Sequence, residues 1–376
     1  MSEFAAPIEP NSRGAAGSGS ASPQLEMILD PRIVPEGRHD GLRHVLEALD
    51  RAERIVLTTH VNADGDGAGS EAALATWLAS RGKRVRIINP TPFPDGFRHL
   101  VSDPEWIVDA GSAASARELA EAELFVVVDT SEAKRLGKLP KSFGDRPVAV
   151  IDHHPAGDTG VGGFGVQDPA ASATGELIYD LLQIAGAGGD AWPEPVAEAI
   201  YTAIVTDTGS FRFANTTPRA HAIAGEMIAR GVDPEAVYRR LFGSVPLRRI
   251  ELVRAALAEL VADPEWPVTW ITVPRETVES VGATSEDLDG IVEYARSIEG
   301  TEVALLFREV ADGSTKVSFR SNGIVDVNAI ARQFGGGGHV KASGALIGEG
   351  LERARARVIE AVRETLRSLE MRRQIR

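Results

Sequence analysis

Histidine and aspartate gather at four places in this chain: His60 with Asp64 and Asp66, Asp129 alone, Asp152 with His153 and His154, and Asp207. Imidazole nitrogen and carboxylate oxygen together suit a hard or borderline divalent ion such as Mn²⁺, with Mg²⁺, Co²⁺ or Zn²⁺ as alternatives. Taken alone, His60-Val-Asn-Ala-Asp64-Gly-Asp66 also reads as a helix N-cap, because aspartate is a favoured cap. Asp152-His153-His154 alone also reads as a solvated loop after a strand. Four such groups in a chain with eight histidines weigh toward a metal centre. Buried acids and histidines cost several kcal/mol unless they are paired or metal-bound.

The elements around these residues place them at strand ends. Ile55 to Thr59 reads as a short buried strand, and the alanine-rich stretch Glu71 to Ser80 as the helix after it. Gly65 and Gly67 are expected to let the backbone bend tightly between the two. Leu124 to Val128 and Pro147 to Ile151 are continuous apolar runs, as expected of central parallel strands covered on both faces, and each is followed by an aspartate. In open α/β sheets ligands bind at the carboxyl ends of the strands. Helical spacing then runs through 174–184, 195–206, 217–230 and 234–242. The predicted fold class is α/β, with a largely parallel sheet flanked by helices. Residues 1–35 form a flexible tail by composition, and 36–245 a first domain. A linker helix spans 246–262, and 263–376 form a smaller α/β domain with a hairpin around Asp312-Gly313.

Composition narrows the function. The 376 residues carry 54 acidic against 40 basic side chains, a net charge of −14, so no global positive field attracts long nucleic acid. The absence of cysteine excludes a disulfide framework and a thiol nucleophile. With no run of 18 apolar residues and no basic-then-apolar start, no membrane association is expected and a cytoplasmic location is the default. The run Gly335-Gly336-Gly337-Gly338-His339 reads either as a flexible linker or as backbone that can approach a phosphate without β-carbons in the way.

With these motifs in view, the chain resembles the DHH phosphoesterase superfamily, which includes RecJ-type exonucleases, family II pyrophosphatases and short-oligonucleotide phosphodiesterases. The glycine-histidine run with Ala342-Ser343-Gly344 resembles the DHHA1 domain. The resemblance implies two divalent metal ions, with Mn²⁺ as the first expectation. One would be held by His60, Asp64 and Asp129, the other by Asp66, Asp129, His153 and Asp207. Such a pair activates water for in-line attack on phosphorus without a protein nucleophile. Asp152 would orient a histidine ligand from outside the metal shell. His154 would donate to the scissile phosphate. Arg320 and His339 would hold the substrate's terminal phosphate, assisted by Ser321, Asn328 and the Gly336, Gly337 and Gly338 backbone. Arg212 is a further candidate for substrate contact, and equally readable as a surface arginine near a helix cap.

The expected substrates are RNA from dinucleotides to pentanucleotides, including pApA, cut to 5′-mononucleotides, together with the 3′-phosphate of pAp. A cyclic-di-AMP phosphodiesterase is the enzymatic alternative, and a non-catalytic nucleotide sensor the alternative from another class. A homodimer is expected from the amphipathic helices of 174–242.

Overall fold

The computed structural model describes residues 30–157, 159–186 and 192–374. Most of the expected tail, residues 1–29, lies outside the described residues. The chain divides into two compact units between Gly243 and Ser244.

The first unit runs through α1 (Glu36–Arg51), β1 (Arg54–Thr58), α2 (Gly65–Ser80), β2 (Arg84–Ile87), α3 (Ala113–Glu121), β3 (Leu124–Val128), β4 (Val148–Asp152) and β5 (Phe164–Gln167). It continues through α4 (Thr174–Ile184), α5 (Glu194–Asp207), α6 (Pro218–Ala229) and α7 (Pro234–Leu241). Its sheet has the order β2-β1-β3-β4-β5, every neighbouring pair parallel. Alternate side chains of β3 serve its two faces. Leu124, Val126 and Val128 pack with α1, α2, α4 and α5, while Phe125 and Val127 pack with Leu119, Leu136 and Phe143. Burial on both sides explains the unbroken apolar run of that strand.

Helix α2 begins at Gly65, six residues before the predicted start. Asp64 caps it, its carboxylate accepting from the Asp66 and Gly67 N–H groups at 3.1 and 3.2 Å. Every residue from Gly65 to Leu78 is buried. Gly65 and Gly67 do not serve the expected tight bend, since neither has a left-handed φ. They serve close approach instead. A β-carbon at Gly65 would lie 2.4 Å from Thr206 Cγ2, and one at Gly69 2.6 Å from Ala199 O, so glycine lets α2 press against α5.

The second unit contains α8 (Leu247–Ala258), β6 (Leu260–Ala262), β7 (Val268–Val273), α9 (Arg275–Ser280), α10 (Ile291–Arg296) and β8 (Val303–Glu309). After these come β9 (Thr315–Ser321), α11 (Val327–Arg332), β10 (Gly337–Gly338), β11 (Ala342–Ile347) and α12 (Leu351–Gln374). The sheet order is β10-β11-β9-β8-β7-β6, mixed, with β7 and β8 as its parallel pair. Residues 246–262, expected to be a linker helix, form α8 and the edge strand β6. Leu252 and Ala256 of α8 lie in this unit's core with Ile271, Ile291 and Leu306. No helix among the described residues is long and apolar enough to cross a membrane.

Candidate active site

Parallel strands deliver the acids to one edge of the first sheet. His60 follows β1, Asp129 follows β3, and Asp152 ends β4 with His153 and His154 just beyond. Asp66 comes from the first turn of α2 and Asp207 from the last residue of α5. Asp129 stands at φ 61°, a left-handed conformation that aspartate tolerates better than most residues.

Three overlapping groups bring nitrogen and oxygen ligand atoms within 4.8 Å of one another: His60, Asp64 and Asp129; Asp66, His153 and Asp207; and Asp129, His153 and His154. His60 Nε2 lies 3.2 Å from Asp129 Oδ2 and 3.8 Å from Asp64 Oδ2. His153 Nε2 lies 3.6 Å from an oxygen of each of Asp66, Asp129 and Asp207. Both Nε2 atoms are buried and make no hydrogen bond. Each histidine faces the backbone with its other nitrogen, His60 Nδ1 toward Val61 O at 2.9 Å and His153 Nδ1 toward Ala171 O at 3.4 Å. That arrangement aims the unpartnered Nε2 atoms at the carboxylates. It fits divalent cations, which would satisfy both nitrogens and the surrounding acids together.

The electrostatics carry the same message. Burial first, then the neighbouring Asp66, Asp64, Asp207 and Asp152 charges, push the Asp129 carboxyl well above its ordinary range. Burial and then Asp66 push Asp207 up to about 7. Asp66 is raised chiefly by burial, although the Thr174 and Gly175 N–H groups at the start of α4 donate to it at 2.6 and 2.9 Å. Burial alone would lower His153, but Asp66 and Asp207 outweigh it and the imidazole is raised. Burial lowers His60. Like charges packed this closely need a positive partner.

Asp152 stands just outside this cluster. Its Oδ1 accepts from the His154 backbone N–H at 3.0 Å and lies 2.8 Å from His154 Nδ1, so the histidine it orients is His154. Burial would raise Asp152, but the bonds to His154 dominate and hold it below its ordinary value. Two contributors show no motif in the sequence. Thr174 Oγ1 donates to Asp129 Oδ1 at 3.2 Å, and Asn215 Nδ2 donates to Asp207 Oδ2 at 2.9 Å. Arg212 is also in the first unit, where its Nε donates to Gly209 O at 2.6 Å.

The other candidates lie in the second unit. Arg320 Nε donates to Glu293 Oε1 and its Nη1 to Phe319 O, at 2.8 and 3.0 Å. Arg320 and Ser321 are consecutive on β9 and point to opposite faces. Ser321 is buried, and its Oγ, like Asn328 Oδ1, has no hydrogen-bond partner. The glycine run is part of the sheet. Gly337 and Gly338 pair with Gly344 and Ser343, and His339 turns the chain into β11, its N–H donating to Ala342 O at 2.7 Å. A β-carbon at Gly336 would lie 2.2 Å from Gly344 O, whereas Gly337 has open space up to Asn328 Oδ1 at 3.9 Å.

Known proteins match this chain in both of its units. Residues 54–204 match the model of the DHH family, N-terminal domain, and residues 274–368 that of the DHHA1 domain. The bifunctional oligoribonuclease and PAP phosphatase NrnA of Thermus thermophilus is 34% identical over 89% of this chain and 97% of its own. The protein of the same name from Bacillus subtilis is 29% identical over 81% of this chain and 92% of its own. Among solved structures, an exopolyphosphatase-related protein from Bacteroides fragilis superposes with a TM-score of 0.79 at 25% identity, covering 88% of this chain and 96% of that one. The chain belongs to the family of phosphoesterases that join a DHH domain to a DHHA1 domain.

Proposed function

We propose that this phosphoesterase hydrolyses short RNA, from dinucleotides to pentanucleotides, to 5′-mononucleotides and removes the 3′-phosphate of pAp. The observation that supports it most is the pair of buried, unpartnered nitrogens, His60 Nε2 and His153 Nε2, each facing carboxylates at 3.2 to 3.8 Å. The likeness to relatives named for oligoribonuclease and PAP phosphatase activity, over nearly their whole length, supports the choice of substrate.

In this reading His60, Asp64 and Asp129 hold one divalent ion, and Asp66, Asp129, His153 and Asp207 a second, with Mn²⁺ as the expected metal. Bound there, such ions supply charge stabilisation at the phosphoryl oxygens and activation of the attacking water. The protein's own groups do the rest. Asp152 fixes the orientation of the His154 ring through Nδ1, and His154 serves as a donor to the scissile phosphate. Thr174 and the first N–H groups of α4 orient Asp129 and Asp66 by donating to their carboxylates. Arg320 presents its remaining guanidinium N–H groups, and His339 its imidazole, to the terminal phosphate, with Asn328 and Gly337 beside them; Ser321, buried on the opposite face of β9, supports the strand from behind. A homodimer is part of the proposal, to be tested by light scattering.

Turnover of pApA, pAp and cyclic-di-AMP, measured side by side with Mn²⁺, tests this function. Faster loss of pApA or pAp, abolished in Asp129→Asn, is expected. Preferential opening of the cyclic dinucleotide would move the assignment to that substrate, and tight nucleotide binding without turnover would make the protein a sensor.

A further inference from the structure

The loop after β2 holds the segment that carries His60. Strands β1 and β2 pair in parallel with Leu57 opposite Ile87, and the last backbone bond between them runs from the Ile88 N–H to Leu57 O at 3.0 Å. Where the ladder would next join the Thr59 N–H to a backbone carbonyl, the Asn89 side chain takes the bond, its Oδ1 accepting at 3.0 Å. Two residues on, Thr91 Oγ1 accepts from the Asn62 N–H at 2.7 Å, with Asn62 in a left-handed conformation at φ 55°. Side chains of one loop thus bracket His60.

Asn89 has a second partner. With its oxygen committed to Thr59, its Nδ2 donates to Glu71 Oε2 at 2.8 Å. Thr59, Asn89 and Glu71 are all buried. Glu71 lies on α2 one turn after Gly67, and a β-carbon at Gly67 would lie 2.7 Å from Thr59 Oγ1, so the start of the helix rests directly on the end of β1. Asp66, in that first turn, belongs to the ligand group with His153 and Asp207, whereas His60 belongs to the group with Asp64 and Asp129. The bridge from Thr59 through Asn89 to Glu71 therefore joins the two elements that supply the two groups.

Packing alone does not account for the acid. Among the described residues Glu71 has no ion pair and one side-chain hydrogen bond, the one to Asn89. Burying a carboxyl so sparsely partnered is costly, and leucine would fill the same space without that cost.

We propose that Asn89 and Glu71 are positioning residues for the metal centre, setting the separation of His60 from Asp66 and with it the spacing of the two ions. The proposal rests on the two-ion reading above and adds to it the residues that keep the ions paired. Neither residue touches a ligand side chain. They act through the Thr59 N–H on one side and through α2 on the other.

Titration of the metal-free full chain with Mn²⁺, followed by calorimetry and by electron paramagnetic resonance, tests the bridge. Two ions held close together give a spin-coupled spectrum, and separate ions the hyperfine pattern of mononuclear Mn²⁺. The wild-type protein is expected to show the coupled spectrum. Glu71→Leu, which offers Asn89 no acceptor, is expected to weaken the binding of one ion about 10- to 100-fold and to move the spectrum toward the mononuclear pattern. Glu71→Gln, which still accepts from Asn89, is expected to restore both. A merely structural role would lower the melting temperature of Glu71→Leu and leave affinity and spectrum as in the wild type, which overturns the proposal. Should Glu71→Leu not fold, Asn89→Ser, too short to span Thr59 and Glu71, is read in the same way. A wild-type protein without the coupled spectrum refutes the two-ion reading and the bridge with it, whereas a coupled wild type with unchanged variants refutes the bridge alone.

Discussion

The Asn215 side-chain amide joins the Asp207 carboxylate to the chain on the far side of the acid cluster, donating to Asp207 Oδ2 at 2.9 Å and to Ser172 O at 2.8 Å. One amide thus fixes both the last residue of α5 and the loop leading into α4, whose first N–H groups hold Asp66. Asn215→Ala is expected to lower Mn²⁺ affinity about 10- to 100-fold, the usual effect of losing a group that orients a ligand. Calorimetric titration of the metal-free protein measures it. Unaltered affinity would mean that Asp207 keeps its orientation without the amide.

Glu71 is buried in α2 and accepts a hydrogen bond from Asn89 Nδ2 at 2.8 Å; its Oε1 has no partner. Burial pushes its carboxyl from the ordinary 4.5 up to about 8. The folded state therefore holds a proton that the unfolded chain gives up. The contribution is fully present below pH 4.5 and is lost as pH rises through about 8. Glu71→Gln, neutral throughout, is expected to raise Tm by a few degrees near pH 8.5 and to change little near pH 4.5. Thermal melts of the two proteins across that range check the sign, and equal curves would contradict a protonated Glu71.

Arg38 on α1 donates to Asp168, Glu176 and Asp180 at 2.6, 2.7 and 2.7 Å, with Glu176 and Asp180 buried. Arg38→Met leaves two buried acids sharing Arg219 alone. The expected loss at neutral pH is about 3 to 5 kcal/mol. Part of it should return on acidification, because Asp180, already pushed up to about 6 by burial, takes up a proton. Urea unfolding at two pH values measures both effects.

At Gly69 the obstacle to a side chain is backbone, Ala199 O at 2.6 Å from the position of a β-carbon. Gly69→Ala must separate α2 from α5, which carry Asp66 and Asp207. A loss of about 1 to 3 kcal/mol is expected despite the better helix propensity of alanine. Denaturant unfolding at saturating and at zero Mn²⁺ should show a smaller metal-induced gain than in the wild-type protein.

Much of the first unit could be read from its sequence because central parallel strands are apolar on both sides. The Leu124 to Val128 run could hardly be anything else, and Asp129 after it fell at the strand end where ligands gather. The start of α2 was misplaced for a related reason: a helix buried all round has no polar stripe to mark its phase, and its glycines imitate a turn. β10 and β11 escaped notice because glycine pairs and small residues carry no apolar alternation. Thr174 and Asn215 are neutral and belong to no spacing rule. The one available signal was that Asn215 closes the same short loop that begins at Asp207.

His60 and Asp207 bracket the cluster in sequence, with Asp64, Asp66, Asp129, Asp152, His153 and His154 between them. During synthesis the cluster stays incomplete until α5 has left the ribosome and packed onto α2, and such long-range closure is slow compared with local helix formation. A partly made or partly unfolded chain therefore lacks the complete cluster. Completion of the cluster marks the completed fold of the first unit, and no shorter fragment of the chain can carry the whole ligand set.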